Sequence, residues 1–104
     1  MSIARGLRFL IFLVALTGVL IWAASHFADL RMMIASHRSM ANYHAARRQA
    51  AERAPKYIDD PAVREWSVRA IRYHQDWERQ YLNAAAWPWV KVPPEPDEPT
   101  MPLP

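Results

Sequence analysis

The side chains of this chain that could do chemistry are few, and the histidines come first. His26, His37 and His44 are eleven and seven residues apart, spacings that place them on one face of a helix. Along a helix axis those separations are ~16 and ~10 Å, too far for one metal ion. Two helical histidines share a metal when they stand at i,i+3 or i,i+4. Met33/His37 and Met40/His44 have that spacing, but a thioether is a soft ligand seldom paired this way outside copper sites. The expectation is therefore no metal, with the histidines touching headgroups or a partner. His26 could in principle ligate a haem or chlorophyll from a single span. Asp29 and Arg31 follow it almost at once, which puts it at the edge of the apolar run, and no cofactor is expected.

The carboxylates lead to the same place. Asp59 and Asp60 directly precede Pro61, and a helix start explains them better than acid–base work does. The serines lack a glycine elbow, and no loop is built to cradle a phosphate. The absence of cysteine removes thiolate chemistry, cysteine-ligated zinc, iron–sulfur ligation and c-type haem attachment. No catalytic residue is expected, no small-molecule substrate, and hence no enzyme.

The remaining chemistry is charge. The formal balance of +3 is unevenly spread. Residues 31–56 hold Arg31, Arg38, Arg47, Arg48, Arg53 and Lys56 against Glu52 alone, six bases to one acid. Such a block next to an apolar run suits lipid headgroups, and Arg31, Arg38, Arg47 and Arg48 are the expected contacts to an anionic lipid such as cardiolipin. A tether within a few turns of a bilayer makes nucleic acid the poorer guess despite Tyr43 nearby.

The elements that must position these groups begin with Phe9–Ala28, twenty residues without a formal charge. As a helix they cover ~30 Å, the thickness of a hydrocarbon core. Trp22 and His26 fall near the end of that run, where amphipathic rings suit an interface. A cleaved secretory signal is the rival reading, with Arg5 and Arg8 as its basic start and Ala23-Ala24-Ser25 as its cleavage site. The run is long for a signal, so a retained anchor over 7–28 is expected, after a short basic segment 1–6. Arg5 and Arg8 before it are matched by Arg31 and Arg38 after it, and orientation stays open.

Residues 29–54 contain neither glycine nor proline and should continue the helix to a stop before Pro55. That helix would be ~72 Å long with ~40 Å outside the bilayer. Its apolar stripe is thin (Leu30, Met33, Ile34, Ala41, Ala45) and lacks sustained coiled-coil heptads of Leu, Ile and Val. Segment 55–60 is read as linker and N-cap, and 61–86 as a second helix with Pro61 at its first position. The stripe Val63, Trp66, Ala70, Tyr73, Trp77, Tyr81 repeats every three to four residues, and Asp60/Arg64 and Glu65/Arg69 are i,i+4 pairs. Segment 87–104 has seven prolines from Pro88 onward and should lie extended, as a strap across a neighbour.

The fold class expected is all-α: a transmembrane helix continuing into an extramembrane helix, a second amphipathic helix, an extended proline-rich tail, and no independent globular core. Trp66, Tyr73, Trp77, Tyr81, Trp87 and Trp89 are the expected partner-binding residues, since the alanines and methionines of the first helix offer little to cover them.

Phe9–Val19 and Trp87-Pro88-Trp89 resemble elements of cytochrome c oxidase subunit VIa, and the layout resembles the single-span accessory subunits of mitochondrial respiratory-chain complexes. The match departs at Val90-Lys91-Val92, where that family carries Gly-Asp-Gly. The resemblance implies a non-catalytic subunit that stabilises a large inner-membrane complex (a respiratory complex or ATP synthase), with the complex's other subunits as partners. The alternative is a bacterial or phage single-pass adaptor in a bacterial inner membrane.

Overall fold

A computed structural model describes residues 2–102. Its elements are two helices, α1 (Ile3–Tyr57) and α2 (Pro61–Ala86), with no strand among the described residues. The chain divides into two units, Met1–Met32 and Met33–Pro104.

In the first unit, α1 is apolar all round. No side chain from Phe9 to Ala28 is buried, and bulky groups such as Phe12, Leu16 and Ile21 stand exposed on every face. This is a helix long and apolar enough to cross a membrane. The Thr17 hydroxyl donates to the Leu13 carbonyl at 2.8 Å, so its one polar group is satisfied within the helix. The Trp22 and His26 rings stack at 5.4 Å, and the Arg31 guanidinium lies 6.0 Å from the Phe27 ring centroid.

The second unit is a hairpin made of the rest of α1, α2 and the tail. The reversal between the helices is brief because Asp60, in an extended conformation, caps α2 by accepting from Ala62 N at 2.9 Å, with Pro61 in the first turn. Asp60 is thereby occupied. Arg64 pairs with Asp59 at 2.7 Å instead of with the Asp60 expected from i,i+4 spacing, whereas Arg69 does reach Glu65, at 3.9 Å.

Register follows from this turn. Ala51 meets Ser67, His44 meets His74 and His37 meets Tyr81, and the members of each pair are equally distant from Asp59. Successive pairs are seven residues apart, the repeat of an antiparallel coiled coil. Its seam is of small residues: Ala41, Ala51, Ala70 and Ala84 are all at most 2 % exposed. A seam in which alanines outnumber branched aliphatic residues hides from a search for Leu/Ile/Val heptads.

Two expectations are corrected. The unit has a small core of its own, in which Ala51, Val63, Trp66 and Ala70 are buried with Ala54 and Ile71 against them. The first helix does not stop before Pro55 but runs through it to Tyr57. Proline has no N–H, so the Ala51 carbonyl loses its helical donor. The Ser67 hydroxyl of α2 donates to that carbonyl at 2.7 Å in its place, and Ile58 N closes the end on Ala54 O at 3.0 Å. Ser67→Ala should therefore destabilise the hairpin by about 1–3 kcal/mol, the cost of an unsatisfied buried acceptor. Adding Pro55→Ala, which restores the N–H, should recover most of that loss in a thermal-unfolding cycle. A purely additive cycle would refute the pairing.

Candidate functional site: a buried histidine pair closed by two glutamates

The heptad register puts His44 of α1 and His74 of α2 in the same layer of the hairpin, at 1 % and 2 % exposure. Their Nδ1 atoms are 2.7 Å apart. The outer nitrogens face carboxylates of the tail: His44 Nε2 is 2.6 Å from Glu95 Oε1, and His74 Nε2 is 2.9 Å from Glu98 Oε1. All four ring nitrogens are used. Glu98 also accepts from Arg47 Nη2 at 3.0 Å and Nε at 3.2 Å, and from the Tyr43 hydroxyl at 3.3 Å.

The order Glu95–His44–His74–Glu98 contains three contacts, and each requires one proton. Two neutral imidazoles with two ionised carboxylates carry only two protons. The constellation is fully satisfied when it holds one proton more, shared along the chain as a property of the group. Without that proton, two lone pairs face each other across one contact. With a further one, two N–H groups do.

The surroundings are aromatic. Tyr81 stacks on His44 with centroids 5.6 Å apart, and Tyr73 and Trp77 lie within 6.5 Å of it. Burial, a hydrogen bond to Glu95 and its charge push the Tyr81 hydroxyl up to about 12. Tyr73 is raised too, first by burial and then by the nearby carboxylates. Its hydroxyl donates to the Pro96 carbonyl at 2.9 Å. Burial holds His74 below the ordinary histidine value, and the charge of His44 adds to this against the opposing pull of Glu98. For Glu98, burial pushes upward, but the hydrogen bond and charge of Arg47 and the presence of His74 hold it below the ordinary carboxylate value.

Chemically, the arrangement can hold a proton and fasten the tail. Residues 91–102 have neither helix nor strand, yet Glu95, Pro96, Glu98 and Pro99 are all hydrogen-bonded to the helices, the last through Trp66 Nε1 at 3.1 Å. Among the described residues no set of three or more His, Asp or Glu converges on a point that could hold a metal.

The residues singled out from sequence divide accordingly. Trp66 and Trp77 are buried, and Tyr73 and Tyr81 are half-buried. The covering surface expected from a foreign protein is supplied by α1 and the tail of this chain. Trp87 and Trp89 remain exposed. Arg47 and Arg48 pair with Glu98 and Glu78, while Arg31 and Arg38 stand exposed. His44 is drawn into the site, His37 lies beside Tyr81, and His26 belongs to the first unit.

Sequence reasoning missed His74, Glu95 and Glu98. His74 could have been found, since a hairpin turning at Asp59 places residues equally far to either side together. The two glutamates carry no such signal. With this geometry in hand, the protein is placed by architecture alone as an all-α chain with one long apolar helix and a helical hairpin. No known protein family matches its sequence, and neither curated proteins nor solved structures include a match.

Proposed function

We propose that the protein is a non-catalytic, single-span subunit that braces a larger membrane complex. The observation that carries this reading is the apolar segment of α1, whose every face from Phe9 to Ala28 is exposed. Twenty such residues in water are strongly unfavourable, whereas a bilayer accommodates them at their natural length. The His–Glu constellation adds support. Its ring nitrogens are bonded to one another and to the tail, which suits holding a shape better than turning over a substrate.

In the fuller form of the proposal, the complex is a bioenergetic assembly of an inner membrane, a mitochondrial respiratory complex or ATP synthase. Exposed Arg31 and Arg38 contact anionic headgroups such as cardiolipin. Blue-native electrophoresis of the native membrane in mild detergent, followed by mass spectrometry, tests this. Comigration with a large assembly at fixed stoichiometry is expected. Migration as a small free species overturns it in favour of a dissociable adaptor.

A further inference from the structure

The tail meets the hairpin with a regular interval. Its carboxylate contacts come from Glu95 and Glu98 and its carbonyl contacts from Pro96 and Pro99, three residues apart in each case. The Tyr73 hydroxyl donates to the Pro96 carbonyl at 2.9 Å, and Trp66 Nε1 donates to the Pro99 carbonyl at 3.1 Å. His44 faces Glu95, while His74 and Arg47 face Glu98. Asp97, between the two glutamates, is exposed. Three residues make one turn of a polyproline II helix, so one face of such a helix repeats at this interval. Aromatic-lined grooves take proline-rich segments because that backbone is ordered before it binds and its carbonyls have no internal donor.

The groove is larger than the segment now in it. Ala50, Ala54 and Trp66 on the helices and Pro99, Thr100 and Met101 on the tail border a cavity of about 350 Å³. Ligand pockets run from ~300 to ~1,000 Å³. Of the tail residues beside the cavity, Thr100 is small and Met101 stands 38 % exposed. A bulkier apolar side chain just after the second proline would fill the space better.

We propose that this groove is a recognition site for an acidic, proline-rich segment of a partner protein, of the form Glu-Pro-x-Glu-Pro followed by a bulky apolar residue. Arg47 and the two imidazoles select the carboxylates, Tyr73 and Trp66 hold the prolyl carbonyls, and the cavity receives the apolar side chain. The chain's own tail occupies the site in the partner's absence, kept there by its tether more than by its fit. Every residue involved belongs to the second unit, so the site does not depend on the membrane-spanning reading.

The chain has no cysteine, so a nitroxide at Asp97→Cys reports on the tail alone in the full chain, held in detergent micelles. A synthetic peptide of residues 93–102 carrying Thr100→Leu is added as competitor. The label should become mobile at roughly millimolar peptide, the effective concentration of a tethered tail. The unaltered 93–102 peptide should be several-fold less effective, and one carrying Glu95→Gln and Glu98→Gln should leave the label immobile. In a second arm, Glu95→Lys with Glu98→Lys in the full chain sets cations against Arg47 and the imidazoles and ejects the tail. That variant should bind the fluorescent leucine peptide at least tenfold more tightly than the parent chain does. No mobilisation in the parent, together with no binding to the charge-reversed chain, overturns the proposal and makes the tail a fixed part of the hairpin. A glutamine peptide that competes as well as the leucine peptide overturns it too, because the groove then reads no carboxylate. Equal competition by the unaltered and leucine peptides does the same, because the groove then fits its own tail best. Should the charge-reversed chain lose amide protection along α2, the competition in the parent chain decides alone.

Discussion

Trp66→Ala is expected to lower the stability of the hairpin by about 3–5 kcal/mol, the range for truncating a large buried aromatic. Trp66 is the largest member of the small core formed with Ala51, Val63 and Ala70. Its neighbours are mostly alanines, which cannot lean in to fill the space it leaves. Its indole N–H also donates to Pro99 O at 3.1 Å, so the same substitution unfastens one point of the tail. A unit the size of Met33–Pro104 has a total stability of only ~4–10 kcal/mol, and the loss takes much or all of it. Amide exchange along α2 in detergent micelles reads the effect, because the apolar part of α1 stays helical in micelles and dilutes a bulk helicity signal. Trp66→Phe keeps an aromatic ring but loses the N–H donor and the volume of the five-membered ring, and it should cost less, about 1–3 kcal/mol. Near-native protection in Trp66→Ala would show that α2 is not held against α1 by this residue.

Acidification should release the tail in two stages. The groups facing the His44–His74 pair are Tyr43 and Arg47 from α1, Tyr73 and Tyr81 from α2, and Glu95 and Glu98 from the tail. His74 lies below its ordinary value of 6.5. Its neutral form therefore contributes stability that is complete above that pH and is lost as pH falls below it. A charge placed on His74 is then held in a buried site with the His44 ring 2.7 Å away. Glu98 lies below its ordinary value of 4.5, so its contribution is complete above 4.5 and fades below. Arg47 and His74 lose their shared acceptor in that lower range. A nitroxide at Thr100→Cys should gain mobility first below about 6.5 and again below about 4.5, the ordinary values of these two groups. Glu98→Gln should leave the label mobile already at neutral pH and remove the second step. A label equally immobile from pH 8 to 4 in the parent chain would show that the carboxylates do not hold the tail.

How much of this was legible beforehand varied from residue to residue. Asp60 and Pro61 announced the start of α2 because a cap and a first-turn proline act within three residues of each other. Pro55 announced a break that the structure did not make, since the ending it favours was offset by the Ser67 hydroxyl, twelve residues further along the chain, bonding to the Ala51 carbonyl. The aromatic stripe of α2 was read correctly as a face needing cover. Its cover was sought elsewhere, because alanines in α1 look too small to supply it and the glutamates of the tail follow no periodicity.

By itself, then, the sequence determined what depends on near neighbours: an apolar run long enough for a bilayer, two helical segments, the turn between them and a proline-rich segment unable to continue either helix. Only the tertiary structure decided which face of α1 is buried, that His44 meets His74, and that Glu95 and Glu98 close the pair. Those contacts join positions 24 to 51 residues apart across two reversals of the chain. A helix forms from the sum of local preferences, whereas a buried pair of imidazoles closed by two carboxylates exists only once three segments have been brought to one place.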